Sequence, residues 1–203
     1  MLLDLSAAFD TIDHSILLGR LRSWFGISGS ALELLSSYLK DRSESVTIQS
    51  TSSSPLPVLT GVPQGSVLGP LLFSLYTTPI SYIISEDNIS FHLYADDTQL
   101  YLSFGTNELQ ANLNRLSSTL DKVYLCFTTN RLTLNTSKTE FLIIGNRQQR
   151  SKLTPQSLLV NGSNIPESKS ARNLGVIFEP DLQYNKQIAK ICQISHLNIK
   201  QLR

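Results

Sequence analysis

Two adjacent aspartates, Asp96 and Asp97, stand between two apolar runs, Phe91–Tyr94 and Thr98–Phe104, which predict the strands of a tight β-hairpin. Adjacent carboxylates repel each other, and burial disfavours their ionised forms. A divalent cation bound at this point would remove both penalties. The alternative is an ordinary turn, since aspartate is common in turns.

A third acid, Asp4, lies inside the apolar run MLLDLS, which predicts a buried strand. Carboxylates from these two segments could converge on a pair of Mg²⁺ ions, which prefer oxygen ligands and bind substrate phosphates. Two such ions about 3.5–4 Å apart stabilise the attacking and the leaving oxygen of a phosphoryl transfer. Asp10 and Asp13 follow this strand, and Asp13 is predicted to cap the next helix instead.

The elements that must position these acids are mixed. Helical spacing of apolar residues predicts helices over His14–Gly26, Ser30–Lys40, Ser66–Ile84, Glu108–Phe127 and Gln183–Leu202. Strand patterns cover Glu44–Gln49, Glu140–Gly145, Leu158–Ile165 (a hairpin turning at Asn161-Gly162) and Leu174–Phe178, with a polar loop over Ser50–Pro57. Helices combined with antiparallel hairpins predict an α+β fold.

Composition bounds the class of protein. The 203 residues are 41% hydrophobic and 16% charged, which excludes a disordered chain and favours one domain, or two at most. The two cysteines, Cys126 and Cys192, cannot form a disulfide scaffold and show no zinc spacing, so we expect reduced core thiols in an intracellular protein. The N-terminal segment lacks the basic region of a signal peptide.

The segment between Glu44 and Glu86 contains no charged residue, and its second half, Ser66–Ile84, is long enough to suggest a membrane span. Gly69, Pro70 and several hydroxyl residues in it favour a helix buried in a globular core, and we expect no membrane contact.

Charge is distributed unevenly along the chain. Residues 1–137 carry 7 Lys+Arg and 12 Asp+Glu, a balance of −5, whereas residues 138–203 carry 10 and 4, a balance of +6. An acidic half could hold cations and a basic half could contact polyanions. The alternative is an ordinary drift of surface charge along the chain.

Five blocks together resemble the reverse transcriptases of non-LTR (LINE-type) retrotransposons. They are LLDLSAAFDTIDH, GVPQGSVLGPLLFSLY, YADD, LNTSKTEFLIIG and NLGVIFEPDL, in the family's order, from Leu2 to about Leu182. YADD alone is a weak match, whereas GVPQGSVLGPLLF is highly specific. The resemblance implies an α+β polymerase palm, an antiparallel sheet backed by helices, with Asp4, Asp96 and Asp97 as its metal-binding and catalytic aspartates.

The resemblance also implies roles for residues around these acids. The Leu5 carbonyl is an extra metal ligand, Tyr94 is a substrate contact, and Phe9 is the aromatic gate beneath the incoming sugar that excludes a 2′-OH. The alternative for Phe9 is ordinary core packing. Lys138 is the lysine near the leaving pyrophosphate, a general acid or charge clamp, unless it is one more exposed lysine.

Two further segments match contact regions of the family. Gln64 and Gly65 lie in the loop that contacts substrate and template, and Ser66 is predicted to start the helix whose free N–H groups could face phosphate. The alternative is a helix cap without a ligand. Leu174 and Gly175 match the strand that grips the primer, although apolar strand residues usually only pack.

The resemblance implies a reaction as well as a fold. It is templated addition of deoxynucleotides (dNTPs) to the 3′-OH of a DNA primer on an RNA template, with two Mg²⁺ ions, or Mn²⁺ in their place. Residues 1–182 would be a partial palm and residues 183–203 the start of a thumb or connection helix, without complete fingers or thumb and without the endonuclease. We therefore expect the chain to be inactive alone, in the cytoplasm or the nucleus.

Two other functions stay open at this point. One is a non-catalytic relic of a retrotransposon that binds nucleic acid non-specifically or not at all. The other is a different palm-type enzyme, such as a nucleotide cyclase, which would give no reason for Phe9 or the Gln64 loop.

Overall fold

The fold, seen in a computed structural model that describes residues 1–63 and 65–202, combines helices with short antiparallel strands. The helices are α1 (His14–Phe25), α2 (Gly29–Leu39), α3 (Leu68–Glu86), α4 (Leu109–Thr129), α5 (Arg147–Arg150) and α6 (Asn185–Gln201). The strands are β1 (Leu2–Leu3), β2 (Leu5–Ser6), β3 (Ser43–Glu44), β4 (Thr47–Ile48), β5 (Thr51–Ser52), β6 (Leu56–Pro57), β7 (Ser90–Tyr94), β8 (Asp97–Tyr101), β9 (Thr133–Leu134), β10 (Ser157–Val160), β11 (Ser163–Pro166), β12 (Ala171–Asn173) and β13 (Val176–Phe178). The predicted α+β class is confirmed.

A three-stranded antiparallel sheet in the order β1–β8–β7 carries the predicted acids. The hairpin β7–β8 pairs Tyr94 with Asp97, and β1 pairs Leu3 with Thr98 on the other side of β8. Thr98 and Leu100 are buried while Asp97 and Tyr101 are exposed, so alternate residues of β8 face the core, as a period of two requires.

Helices α3 and α4 contribute many of the buried apolar side chains of the core. α3 packs against α1, α4 and β7, and α4 also packs against β10. Their fully buried side chains include Phe73, Tyr76, Ile80, Leu120 and Val123. In the part of the chain that the structure describes, no helix is both long and apolar enough to cross a membrane.

Local signals placed several elements correctly. Asp13 caps α1, as predicted, because its carboxylate accepts hydrogen bonds from the N–H groups of Ser15 and Ile16. Gly26 ends the same helix in the left-handed region at φ 67°. The hairpin β10–β11 turns at Asn161-Gly162, both with positive φ, as the sequence predicts.

The predicted continuous strand over residues 1–6 is wrong, because the chain changes partner at Asp4. β1 pairs with β8, whereas β2 pairs with β9 in a separate two-stranded sheet. Asp4 therefore lies at the junction between the two sheets. A switch of partner leaves no mark in an apolar pattern, and the sequence could not indicate it.

Three other predictions from strand patterns need correction. Glu140–Gly145 is extended, but single bridges, Leu2 to Glu140 and Phe141 to Glu167, replace the predicted strand. Residues 43–57 form two nested hairpins, β3–β6 around β4–β5, in place of one strand and a loop. The last predicted strand begins at Val176, because Leu174 and Gly175 form a turn.

The prediction of core thiols is also wrong for one cysteine. Cys126 is half-buried on α4, but Cys192 is exposed on α6. α6 has no buried residue, so none of its side chains belongs to the core.

Candidate active site

Asp4 is held at the sheet junction by its backbone. Its N–H donates to Thr139 Oγ1 at 3.4 Å, and its carbonyl accepts from the Asn135 N–H at 2.8 Å. The carboxylate atom Oδ2 is buried and has no hydrogen-bond partner among the described residues. A buried carboxylate oxygen without a partner carries a large desolvation cost, which a cation would offset.

Asp96 and Asp97 lie at the tip of the β7–β8 hairpin, as predicted. Asp96 is in the turn, and Asp97 is the first residue of β8. Partial burial, followed by the charges of Asp96 and of Asp4, raises the pKa of the Asp97 carboxyl. The fold thus brings carboxylates from two distant segments within electrostatic reach of one another.

The three acids offer the oxygen ligands that Mg²⁺ or Mn²⁺ prefers. Their mutual repulsion and the unpartnered Asp4 Oδ2 are what a bound divalent cation would relieve. Among the described residues, however, no group of three or more acidic, histidine or cysteine side chains is close enough to hold a metal ion in the present arrangement. The residues therefore fit such an ion in type and in charge, without forming a tight cluster.

A pocket of about 440 Å³ opens beside Asp96. Of the residues described, it is lined by Leu5, Ala7, Ala8, Phe9, Pro63, Gly65, Ser66, Gly69, Pro70 and Asp96. Phe9 is half-buried, and its ring centroid lies 4.9 Å from that of Phe73 on α3. Phe9 thus both packs on the core and forms part of the pocket wall.

The loop before α3 is fixed directly on the segment that contains Phe9. The Gly61 N–H donates to the Ile12 carbonyl at 2.8 Å, and the Val62 N–H donates to the Phe9 carbonyl at 2.9 Å. Gly61 has φ 85°, and a Cβ there would lie 2.9 Å from backbone atoms of Phe9 and Asp10. Only glycine fits this position, on both grounds.

The rest of this loop differs from the prediction in one respect. Gln64 lies outside the residues that the structure describes, and Gly65 is exposed with φ 76°. α3 begins at Leu68, so the prediction that Ser66 starts the helix is wrong by two residues. Ser66 Oγ instead accepts from the Gly69 N–H at 3.0 Å, which satisfies one of the free N–H groups of this helix end.

The pattern of backbone hydrogen bonds between β2 and β9 does not include the Leu5 carbonyl. The Asn135 N–H bonds to the Asp4 carbonyl, so the next pair, Leu5 with Leu134, is of the type that does not exchange hydrogen bonds. The Leu5 carbonyl therefore points away from β9. Leu5 also lines the pocket.

Lys138 lies in the turn after β9 and is exposed. Its N–H donates to the Asn135 carbonyl at 3.2 Å, which ties this turn to the backbone of Asp4 through Asn135. In the described part of the chain its ammonium makes no ion pair.

A model of the family "Reverse transcriptase (RNA-dependent DNA polymerase)" matches residues 1–178. The chain belongs to the reverse transcriptase family. Among curated proteins it is 27% identical over 197 residues to the RNA-directed DNA polymerase from mobile element jockey of Drosophila melanogaster. It is 36% identical over 124 residues to the probable RNA-directed DNA polymerase from transposon BS of the same species.

These alignments cover the chain and the relatives very unequally. The jockey alignment covers 94% of this chain and 20% of the relative, and the BS alignment covers 58% and 14%. The probable polymerase from the Drosophila melanogaster X-element, 26% identical, shows the same proportions as jockey. The chain therefore spans about a fifth of the length of the reverse transcriptases with the longest alignments.

The segment of this reverse transcriptase chain that was predicted to grip the primer is a hairpin turn. Leu174 and Gly175 have φ of 45° and 86° and join β12 to β13. Asn173 Nδ2 donates to Gln99 Oε1 at 2.9 Å, so this hairpin is bonded to β8 two residues from Asp97. Tyr94 pairs with Asp97 and is exposed.

Reasoning from sequence missed His14, to which no chemistry was assigned. Its ring Nε2 lies 2.7 Å from the Gly61 carbonyl oxygen. These residues are 47 positions apart, and no local pattern links them. The histidine in TIDH and the glycine in GVPQG could have been paired only through the fold of the reverse transcriptase.

Proposed function

We propose that this chain is the polymerase core of a non-LTR retrotransposon reverse transcriptase, with a palm-type fold in residues 1–182. It would add deoxynucleotides to the 3′-OH of a DNA primer on an RNA template. The observation that carries this proposal is that the charges of Asp4 and Asp96 both act on Asp97, beside a pocket, in a chain of this family.

The three carboxylates would hold the divalent ions that reverse transcriptases use, two Mg²⁺ or Mn²⁺ ions, with the Leu5 carbonyl as an added oxygen ligand. When bound, such ions activate the 3′-OH and neutralise the charge that develops on the leaving pyrophosphate. The chain's own contribution would be to hold Asp4, Asp96 and Asp97 near one another, so that a bound cation stabilises their ionised forms. Burial, together with the charges of Asp96 and Asp4, raises the pKa of Asp97, and a bound cation would offset both effects.

The pocket would receive the incoming dNTP. Phe9 would stand beneath the sugar and exclude a 2′-OH, with its ring supported by contact with the ring of Phe73. Gln64 and Gly65 would contact the substrate and the template, with the exposed Gly65 backbone open to close approach. Tyr94, exposed opposite Asp97, would contact the substrate as well.

Two further segments would contact the leaving pyrophosphate and the primer 3′ end. Lys138 is exposed on a turn bonded to Asn135, which in turn bonds to Asp4, and its ammonium would approach the leaving pyrophosphate as an acid or a charge clamp. Leu174 and Gly175 would position the primer 3′ end from the turn of the β12–β13 hairpin. The Asn173–Gln99 bond supports this role, because it ties that hairpin to the strand of Asp97.

Residues 183–203 would begin a thumb, and fingers, thumb and endonuclease would belong to the longer protein, in line with the relatives' greater length. RNA template, DNA primer and dNTPs are then the partners. The site of action would be the cytoplasm or the nucleus, where the nucleic acids of a mobile element are found.

The test is primer extension on an RNA template with Mg²⁺. It compares the 203-residue chain, its Asp96→Asn/Asp97→Asn variant, and both sequences extended with the flanking segments of the jockey polymerase. We expect synthesis in the extended wild-type protein and at least about a thousandfold less in its double variant, since each lost charge removes transition-state stabilisation. Nucleic-acid binding without synthesis in every version would instead indicate a non-catalytic relic.

A further inference from the structure

His14 connects the start of α1 to the loop that precedes α3. It is the first residue of α1 and half-buried, with its ring Nε2 2.7 Å from the Gly61 carbonyl oxygen. A carbonyl oxygen can only accept, so Nε2 carries the hydrogen in this bond. No role in metal binding, chemistry or substrate contact has been given to this side chain above.

Among the described residues, this bond acts with three other hydrogen bonds, and with a single bridge between Asp13 and Thr60, to hold two distant segments together. Thr60 Oγ1 donates to the Asp10 carbonyl at 2.9 Å, and the N–H groups of Gly61 and Val62 donate to the carbonyls of Ile12 and Phe9. His14 supplies the fourth bond, in the opposite direction. It satisfies the Gly61 carbonyl. The other three bonds satisfy the carbonyls of Phe9, Asp10 and Ile12, in residues 9–12, here called the Phe9 segment.

The locked loop continues directly into the pocket wall. Pro63, Gly65 and Ser66 line the same pocket as Phe9 and Asp96. The Gly61 backbone lies directly against the backbone of Phe9 and Asp10, without room even for a Cβ atom. The loop therefore packs on this segment in a single position. A shift at Gly61 would therefore move the pocket wall relative to Phe9.

We infer that His14 is a positioning residue for the nucleotide pocket. Its hydrogen bond to the Gly61 carbonyl holds the Thr60–Val62 segment on the Phe9 segment and thereby fixes the distance across the pocket. The inference rests on the proposed function and deepens it, since it assigns a residue that sets deoxynucleotide affinity without touching the reacting atoms. Loss of the bond should weaken dNTP binding and leave the catalytic carboxylates in place.

The experiment uses the 203-residue chain and two measurements, hydrogen exchange at the Gly61 and Val62 amides and equilibrium binding of dTTP with Mg²⁺. His14→Phe keeps an aromatic ring and removes the donor, whereas His14→Gln places an amide N–H close to the position of Nε2. His196→Gln is the matched control, because His196 is exposed on α6. His14→Asn, whose amide stops short of Gly61, repeats the test with a smaller side chain.

We expect faster exchange at both amides and weaker dTTP binding in His14→Phe and His14→Asn, each by about five- to tenfold, the worth of one hydrogen bond. His14→Gln should recover most of both effects, and His196→Gln should match the wild type. In an extended, active protein the loss should appear in KM for dNTP rather than in kcat.

The outcomes separate this inference from the proposed function. If wild-type chain binds dTTP and His14→Phe and His14→Asn bind it equally well, the inference is overturned and the proposed function stands. If His14→Gln is as impaired as His14→Phe, the packing of the imidazole rather than its donor matters, which also overturns it. If the wild-type chain does not bind dTTP, the proposed function is decided by primer extension with the extended protein, and unchanged exchange at the Gly61 and Val62 amides in His14→Phe overturns the positioning role.

Discussion

At the scale of single residues, the candidate site is marked by carboxylates in unfavourable surroundings. The pKa of Asp97 is raised by its partial burial and by the charges of Asp96 and Asp4, and a buried oxygen of Asp4 has no partner among the described residues. Groups held in unfavourable electrostatic settings are typical of functional sites. Asp87, by contrast, has a lowered pKa because Lys122 and Thr119 bond to it, which is the pattern of a structural acid.

The first prediction concerns pH and Asp97. A carboxyl whose pKa is higher in the folded state binds more protons there than in the unfolded state. The free energy of unfolding therefore falls as pH rises above 3.8, the ordinary pKa of an aspartate. Without divalent ions, Asp97→Asn should therefore raise the free energy of unfolding at pH 7, with little effect near pH 3. The gain should stay below about 1 kcal/mol, because solvent screens this largely exposed group.

Urea unfolding of both proteins at the two pH values provides the measurement. Asp41→Asn, a change at an exposed position distant in sequence, is the control. A wild-type chain that is more stable than Asp97→Asn at pH 7 would show that Asp97 is satisfied within the fold rather than by an external ion.

A second prediction concerns the sugar. Phe9→Ala should reduce the preference for dTTP over UTP, because the ring that would meet the 2′-OH is gone. We expect a loss of roughly 10- to 100-fold, the range in which a pocket rejects an added hydroxyl. Competition binding with Mg²⁺ measures the ratio, and an unchanged preference would indicate that Phe9 only packs against Phe73.

At the scale of elements, the fold brings segments that are far apart in sequence close to one another. β1 and β2 change partners at Asp4, the β7–β8 hairpin carries the other two acids, and the loop before α3 closes the pocket. Gly61 is where this arrangement leaves least freedom, since it needs positive φ and close backbone contact at once.

Gly61→Ala should therefore destabilise the chain by about 2–4 kcal/mol, from backbone strain plus the clash with Phe9 and Asp10. Gly162→Ala is a matched control, because Gly162 has a similar φ of 77° with open space around it. It should cost only the strain, about 1–2 kcal/mol. Urea unfolding measures the free energy of unfolding of both variants. Equal losses would mean that the close contact at Gly61 does not add to the cost of the substitution.

The elements also show how far the sequence alone could lead. α1, α4 and the β10–β11 hairpin were predictable because their signals are local: the Asp13 cap, a continuous apolar stripe, and Asn161-Gly162 in a turn that needs positive φ. The position of Asp96 and Asp97 at a hairpin tip was predictable because apolar runs flank them on both sides, whereas their role as metal ligands stays a prediction.

Contacts between distant segments were not predictable in this way. Nothing in MLLDLS shows that its two halves belong to different sheets, and Glu140–Gly145 alternates like a strand although single bridges replace a ladder. The His14–Gly61 bond joins the start of α1 to the loop before α3, and their meeting depends on how α1 and α3 pack. Pairing of this kind is decided by the whole core rather than by local propensity.

At the scale of the whole molecule, the chain is a family core with an acidic first part and a basic last part. The basic residues include Lys138, Arg172, Lys190 and Lys200, all in the segment from 138 to 203. α6, which has no buried residue, carries lysines and no acid. This distribution fits the proposed function, in which the acids would hold cations and the basic residues would contact nucleic acid.

Binding of an RNA–DNA duplex should therefore be non-specific and should weaken steeply with salt. Each phosphate contact contributes roughly −0.9 to the slope of log affinity against log salt, so four contacts would give a slope near −4. Fluorescence anisotropy between 50 and 200 mM salt measures the slope, with Lys190→Gln/Lys200→Gln expected to make it shallower by about two. A flat affinity would mean that this surface has no such role.

The central claim is that Asp4, Asp96 and Asp97 together bind the divalent ions of the reaction. The most direct measurement is Mn²⁺ binding to the 203-residue chain in the presence of dTTP, followed by electron paramagnetic resonance. Wild-type chain should bind Mn²⁺, and Asp4→Asn and Asp97→Asn should each weaken that binding by at least about tenfold, while Asp41→Asn binds as the wild type does. Equal Mn²⁺ affinity in wild type and Asp4→Asn would contradict the claim, because the acids would then not form one site.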